Sequence, residues 1–209
     1  MSLVLTLFSS ALLVPTREGS APSPIDPELL QEVLRARCGE AAAQSILVER
    51  YRTPIGRYVY TLILDRHAID DVTQDVFIRM LRGLPRLREP EHFRAWLFRL
   101  ARNSSFDYLR RQRLRKFWTT LSDAEFKEIP EANGGDQARH FAETFEHALR
   151  DFAPRDRELL ALALQGHSYE EIAAQLGVSH GSVKGRLSRV REHLRLAMLK
   201  ADSISPHGL

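Results

Sequence analysis

Cysteine is almost absent from this sequence of 209 residues, which contains only Cys38. A lone cysteine excludes an intramolecular disulfide and every zinc motif built from several cysteines, and it fits a reducing compartment. We expect Cys38 to be an ordinary helix residue. The sequence also lacks a nucleophile elbow, a glycine-rich phosphate loop and a paired metal-ligand motif. We therefore expect a protein that is not an enzyme and that needs no cofactor and no metal.

Long apolar runs are also scarce, and the one near the start covers only residues 3–14. It is shorter than the about 20 residues that a membrane-spanning helix needs, and no basic segment precedes it as in a signal peptide. Residues 16–27 then place prolines among small side chains, a composition typical of a linker. We expect residues 1–24 to be a disordered extension or the result of a start codon placed too early. We also expect a cytoplasmic protein with no membrane insertion.

Neither sign of charge dominates, because 30 lysines and arginines stand against 27 aspartates and glutamates, for a net charge of +3. The charges are unevenly distributed along the chain. Basic residues dominate residues 79–116, acidic residues dominate residues 123–136, and a second basic block lies near the C-terminus. Such blocks indicate a partner recognised by charge, for example nucleic acid, more clearly than the net value does.

Apolar residues from Asp26 onward recur at intervals of three and four positions, and no segment shows the convincing alternation of a strand. The predicted fold class is therefore all-α. Asp26 and Pro27 suit the N-cap and first turn of an opening helix. The further helices predicted from this period cover about residues 40–64, 70–84 and 90–117, and helicity resumes near residue 137.

One acidic segment interrupts the helical pattern. Residues 121–136 show no apolar period and contain Pro130 and a pair of glycines, which is the composition of a flexible linker. The sequence therefore predicts two small helical domains joined by a tether. The predicted boundaries are an extension at 1–24, a first domain at 25–118, an acidic linker at 119–136, a second domain at 137–202 and a tail at 203–209.

The segment SYEEIAAQLGVSHGSVKGRLSRVREHL, residues 168–194, has the spacing of a helix-turn-helix. Tyr169, Ile172 and Leu176 recur at helical spacing and predict a short first helix. Gly177 follows where a turn needs a positive φ, and Ser179 offers a side-chain oxygen that could cap a second helix.

The second of these two helices has an apolar stripe and a basic face. The stripe consists of Val183, Leu187, Val190 and Leu194, and the basic residues are Lys184, Arg186, Arg189 and Arg191. Basic side chains on such a helix could meet phosphates and the acceptor edges of guanine in a major groove. The alternative is an ordinary helical hairpin with a solvated basic face.

The segment FRAWLFRLARNSSFDYLRRQRLRK, residues 93–116, predicts an amphipathic and strongly basic helix in the first domain. Its apolar residues Phe93, Trp96, Leu97 and Leu100 are expected to face the core. Asn103, Ser104 and Ser105 interrupt the apolar stripe, which is unfavourable unless a backbone or bases approach there. Arg110, Arg111, Arg113 and Arg115 then form a run suited to phosphates. A solvated face is again the alternative.

The segment DRHAIDDVTQDVFIRML, residues 65–81, brings acidic and amide side chains together on one helix. These residues are Asp70, Asp71, Gln74 and Asp75. An acidic face of this kind favours a basic protein partner. Two alternatives are acidic residues that simply stabilise a helix N-terminus and a carboxylate metal site completed by His67.

Taken together and in this order, the segments DDVTQDVFIRML, FRAWLFRLARNSSFDYLRRQRLRK and SYEEIAAQLGVSHGSVKGRLSRVRE resemble a bacterial RNA polymerase sigma factor of the extracytoplasmic-function type, in the sigma-70 family. The resemblance covers about residues 26–201. It implies that the first domain is region 2, the acidic segment is the linker and the second domain is region 4. It further implies binding to core RNA polymerase, promoter recognition, DNA melting and initiation, for a stress or envelope-response regulon. An anti-sigma factor is a further implied partner.

The resemblance also implies roles for individual residues. The residues implied to dock on the clamp helices of the polymerase β′ subunit are Asp71, Gln74, Asp75 and Phe77, while region 4 would meet the β flap. Asn103 would capture an unstacked base of the minus-ten element, and the residues implied to hold the adjacent backbone are Arg110, Arg111 and Arg113. The residues implied at the minus-thirty-five element are Lys184, Arg186 and Arg189, with His180 and Ser182 near phosphates.

A stand-alone transcriptional regulator with the same helix-turn-helix is the alternative function. Such regulators usually dimerise and read two half-sites. The sequence shows no evident dimerisation heptad and no ligand-sensing domain, and this alternative leaves the basic segment at 93–116 unexplained.

Overall fold

A computed structural model describes residues 26–119 and 136–204 of the chain. The predicted extension at 1–24 and nearly all of the predicted linker and the end of the tail lie outside the described residues. The described residues are helical with short connections and contain no strand, which confirms the all-α prediction. They form two compact units, one on each side of the linker segment.

In the first unit, the described residues form four α-helices and two short 3-10 helices. They are α1 (Pro27–Arg37), α2 (Ala41–Ile63), α3 (Ile69–Gly83), the 3-10 helices Leu84–Arg86 and Pro90–His92, and α4 (Phe93–Thr119). The Asp26 side chain accepts a hydrogen bond from the Glu28 N–H at 3.2 Å and so caps α1, as predicted. Cys38 is exposed and lies one residue beyond α1, so the expectation that it is a helix residue is wrong by one position.

The core of the first unit lies where α2 meets α4. Tyr58 and Phe98 are fully buried, and their rings meet edge to face with centroids 5.2 Å apart. Close packing continues between α3 and α4, because a methyl group at Gly83 would come within 2.9 Å of the Trp96 ring. This packing sets α3 against α4 and so determines which of their side chains reach solvent.

The described residues of the second unit form four helices, and the last of these is the longest. They are α5 (Asp136–Arg150), α6 (Pro154–Leu164), α7 (Tyr169–Leu176) and α8 (His180–Ile204). The apolar stripe predicted on α8 is buried against the other three helices, and its members are Val183, Leu187, Val190 and Leu194. Within the described ranges, no helix is long and apolar enough to cross a membrane.

Candidate nucleic-acid interface

The turn between α7 and α8 forms from local hydrogen bonds. A capping box opens α7, because Ser168 Oγ accepts from the Glu171 N–H at 3.2 Å while Glu171 Oε2 accepts from the Ser168 N–H at 2.8 Å. The helix ends at Gly177, whose φ is +67°. Ser179 Oγ then accepts from the Ser182 N–H at 3.2 Å at the start of α8. These contacts confirm the turn and the cap predicted at Gly177 and Ser179.

Replacing Ser168 with alanine is expected to loosen α7. Loss of a serine cap costs about 1 kcal/mol, so the equilibrium constant for local opening of α7 should rise about fivefold. Hydrogen exchange of the α7 amides measures this change directly. The exposed Ser188 on α8 provides the control, because its replacement with alanine removes no cap. Equal α7 exchange in the two variants would contradict the assigned role of the capping box.

The outward face of α8 carries small residues. Gly181, Gly185 and Ser188 are all exposed, whereas Val183 and Leu187 on the opposite face are buried. A methyl group built on Gly185 would meet no heavy atom within 4 Å, so internal packing does not require a glycine there. The small side chains leave the backbone of α8 accessible to a groove.

Basic side chains lie on both flanks of α8 rather than on a single face. Arg186 reaches the start of α6, where its Nε and Nη2 donate to Asp156 Oδ1 at 3.0 and 2.7 Å. Arg191 turns the other way and its Nη1 donates to the Tyr169 hydroxyl on α7 at 3.4 Å. The prediction that Arg186 and Arg191 share one basic face is therefore wrong, because the two positions lie on different sides of the helix.

The remaining residues predicted at this helix lie at its exposed start and along its length. His180 Nε2 lies 3.3 Å from Glu170 Oε1, and the His180 ring meets the Tyr169 ring edge to face at 5.5 Å. Ser182 is half-buried, while Lys184 and Arg189 are exposed. Further along α8, hydrogen bonds donated by Arg195 hold the pKa of Glu192 below its ordinary value, so this carboxylate neutralises that arginine.

The docking residues that the resemblance implies on α3 differ in their exposure. Asp71 and Gln74 are exposed, but Phe77 is only 8% exposed and packs in the core of the first unit. The structure therefore does not group Phe77 with the two exposed residues. Ile78, which the sequence analysis did not single out, is 40% exposed one helical turn from Gln74. The sequence shows an apolar residue four positions after Gln74, but only the structure shows that its side chain is exposed.

Asp75 makes contacts inside the first unit. Its Oδ2 accepts from Ser104 Oγ on α4 at 2.9 Å and from Arg79 Nε at 2.9 Å. Arg79 continues to Asp107 on α4 at 3.4 Å. Asp75 thus joins α3 to α4. The described part of the chain contains no group of three histidine, cysteine or carboxylate side chains able to hold an ion.

Of the three polar residues that interrupt the apolar stripe of α4, only Asn103 is exposed. Ser104 is buried against Asp75, and the buried Ser105 donates to the Ala101 carbonyl oxygen at 2.8 Å. The interpretation that approaching bases explain the two serines is therefore wrong, since both are satisfied within the unit.

Three arginines that follow on α4 are all exposed, and they differ in their contacts. Arg110 lies 3.1 Å from Asp107, whereas Arg111 and Arg113 are exposed at the far part of the helix. Nearer Asn103, the Arg102 guanidinium lies 5.1 Å from the centre of the Phe106 ring. Asn103 is thus exposed on a helix that also carries this pair of a basic and an aromatic side chain and a run of arginines, an arrangement that suits single-stranded or unstacked nucleic acid.

Two family models match the chain in the order of its two units. Sigma-70 region 2 matches residues 47–115, and Sigma-70, region 4 matches residues 142–194. Among curated relatives, the sigma factor CnrH of Cupriavidus metallidurans is 30% identical over 190 residues, covering 86% of this chain and 99% of that protein. The ECF sigma factor SigE of Mycolicibacterium smegmatis is 32% identical over 162 residues, and the match covers 75% of this chain but only 62% of SigE.

Solved structures also match. The structure of CnrH in complex with the cytosolic domain of CnrY has a TM-score of 0.62 and 27% sequence identity, and it covers 83% of this chain and 98% of that chain. The sigma factor RpoE in complex with the anti-sigma factor NepR from Bartonella quintana has a TM-score of 0.56 at 24% identity, with 84% and 96% coverage. The second likeness shows the fold.

Proposed function

The chain belongs to the extracytoplasmic-function branch of the sigma-70 family, and on that basis we propose that it binds core RNA polymerase as an alternative sigma factor and directs promoter recognition, DNA melting and initiation. The observation that carries this proposal is the presence of both family regions, in the family's order, on two separate helical units. A stand-alone regulator is not favoured, because it would have no need for the region 2 unit.

We divide the chain at the acidic segment. Residues 25–118 act as region 2, residues 119–136 as the linker and residues 137–202 as region 4. In region 2, the polymerase β′ clamp helices dock on the exposed face of α3 formed by Asp71, Gln74 and Ile78. The partly exposed Asp75 and the buried Phe77 complete the docking set. Region 4 meets the β flap.

Promoter DNA is recognised by both units in this proposal. The minus-ten residues are Asn103, Arg110, Arg111 and Arg113, and the minus-thirty-five residues are His180, Ser182, Lys184, Arg186 and Arg189. Asn103 is supported by its exposure next to the buried Ser104, and the second group by its place on a capped α8 with an accessible outward face. The arginines supply the phosphate contacts that make such binding depend on salt.

Control by an anti-sigma factor is also part of the proposal. One structure similar to this chain contains CnrH with the cytosolic domain of CnrY, and another contains the sigma factor RpoE with the anti-sigma factor NepR. Two small units on a tether could be clamped together by a partner that covers the polymerase-binding face. We propose that release of this partner in response to stress or an envelope signal frees the chain for transcription.

Reconstituted transcription tests the function. The purified chain is combined with core polymerase from the same bacterium on a library of genomic fragments, and a parallel reaction omits the core enzyme. Specific starts that require both components are expected, and the aligned upstream sequences give the promoter. Sequence-specific DNA binding without core enzyme, together with no transcripts in its presence, would instead identify a stand-alone regulator.

Replacing Asn103 with alanine is expected to reduce promoter opening about tenfold, since flipping and holding one base involves a few kcal/mol. The measurement is permanganate reactivity of the minus-ten element in complexes of the variant with core polymerase. Replacing the exposed Glu91 of the same unit with alanine provides the control. Opening at the wild-type level would rule out base capture by Asn103.

A further inference from the structure

We propose that Asp156 is a positioning residue for reading the minus-thirty-five element, because its carboxylate holds the Arg186 guanidinium on the flank of α8. This inference rests on the proposed function and deepens it. Asp156 belongs to the first turn of α6, 30 residues before Arg186, and both Arg186 contacts of 3.0 and 2.7 Å end on the same oxygen, Oδ1. The remaining N–H donors of the guanidinium are left for another acceptor.

The location of this ion pair keeps it within reach of DNA. The side chains of Arg186 and Asp156 are 26% and 28% exposed, so neither is sealed inside the unit. Arg186 lies on the wall of an open cleft of about 280 Å³ that Arg189 and His193 also line, with Phe152 on its apolar side. The cleft leaves the free edge of the guanidinium accessible from solvent.

Stability alone gives little reason for this contact. Ion pairs at partly exposed positions contribute little to folding, because water screens the charges and two side chains lose freedom. Asp156 also lies at the N-terminus of α6, where any carboxylate is favourable for the helix. A role of Asp156 in helix stabilisation alone would require a negative charge at position 156 but would not require Arg186.

A held arginine differs from a free one in what it can discriminate. Arg186 bound to Asp156 has already lost the freedom that a flexible arginine would lose on contacting a base, so its contact is directional. Arg189, on the same flank, has no ion pair among the described residues. The Asp156 charge also weakens attraction to phosphates in general. Asp156 should therefore increase sequence discrimination more than overall affinity.

The test uses Asp156→Asn in the full chain with core polymerase. Transcription is measured on a promoter identified with the wild-type chain and on derivatives with one minus-thirty-five base pair changed at a time. Preference for the correct base pair is expected to fall about tenfold at the position read by Arg186, in the range for one bidentate contact. Activity on a promoter with a scrambled minus-thirty-five element is not expected to fall. Asp156→Glu should restore part of the preference.

Two control variants show whether the loss of preference arises from the contact between Asp156 and Arg186. Asp151→Asn removes a carboxylate nearby, 3.7 Å from His193, and is expected to keep the preference. In an Arg186→Ala background, Asp156→Asn should have no further effect. An equal effect in that background, unchanged preference in Asp156→Asn, or a loss that tracks faster hydrogen exchange of α6 would each overturn the inference. A wild-type chain that supports no core-dependent start would overturn the proposed function itself and this inference with it.

Discussion

Replacing Asp71 and Gln74 together with arginine is expected to weaken binding to core polymerase at least about 100-fold, because juxtaposed like charges at an interface cost several kcal/mol. Both side chains are exposed on α3, next to the exposed Ile78. If this face meets a basic partner, two arginines replace attraction with repulsion. Binding is measured by the fluorescence anisotropy of a labelled chain titrated with core enzyme at two salt concentrations, and the defect should be smaller at the higher one.

A control variant tests whether the binding defect depends on the position of the new charge or only on the change in net charge. Glu49 is exposed on α2, a different helix of the same unit, and Glu49→Arg makes the same change in charge as one arginine at Asp71. Affinity close to that of the wild type is expected for this control. If Glu49→Arg weakened binding as much as the α3 variant, the effect would be one of net charge and α3 would not be the docking face.

Replacing Phe98 with alanine is expected to destabilise the first unit by about 3–5 kcal/mol, the usual cost of removing a fully buried aromatic ring. Phe98 is 1% exposed and its ring packs edge to face on the equally buried Tyr58. The lost stability has two parts, which are the free energy of transferring the ring from the core to water and the cost of the cavity left between α2 and α4. Urea unfolding monitored by hydrogen exchange measures the free energy of unfolding of each unit separately. We expect the value for the second unit to be unchanged.

Phe106 provides the control for this substitution. It is the same residue type on the same helix, but it is half-buried and covered on one side by Arg102. Phe106→Ala should therefore cost clearly less stability than Phe98→Ala. Equal losses in the two variants would show that α4 responds as a whole to substitution and that the contact between Phe98 and Tyr58 is not the main source of stability.

The turn and the apolar stripe of the helix-turn-helix were predictable residue by residue. Gly177 adopts the positive φ expected from its position, Ser179 accepts the cap hydrogen bond, and the stripe that begins at Val183 is buried. Each of these features depends on neighbours within about one helical turn, so the sequence displays both members of each interaction. The all-α class and the starts of the helices were predictable for the same reason.

The candidate site was predicted less completely. The family resemblance placed four docking residues on α3, yet Phe77 is buried and Asp75 is hydrogen-bonded to Ser104 on α4. The polar interruption of α4 suggested three residues near bases, yet two of them are satisfied inside the unit. A pattern at helical spacing identifies a face, but it does not say which neighbouring helix covers part of that face.

Local order along the chain was thus readable from residue types, because caps, turns and apolar periods act between residues close in sequence. Contacts between the packed helices decide which side chains are available to a partner molecule. Asp75 meets Ser104 across 29 positions, and Asp156 meets Arg186 across 30. Such pairs form only after burial of the apolar stripes has set one helix against another, and that geometry decides whether a charged side chain faces a partner molecule or its own fold.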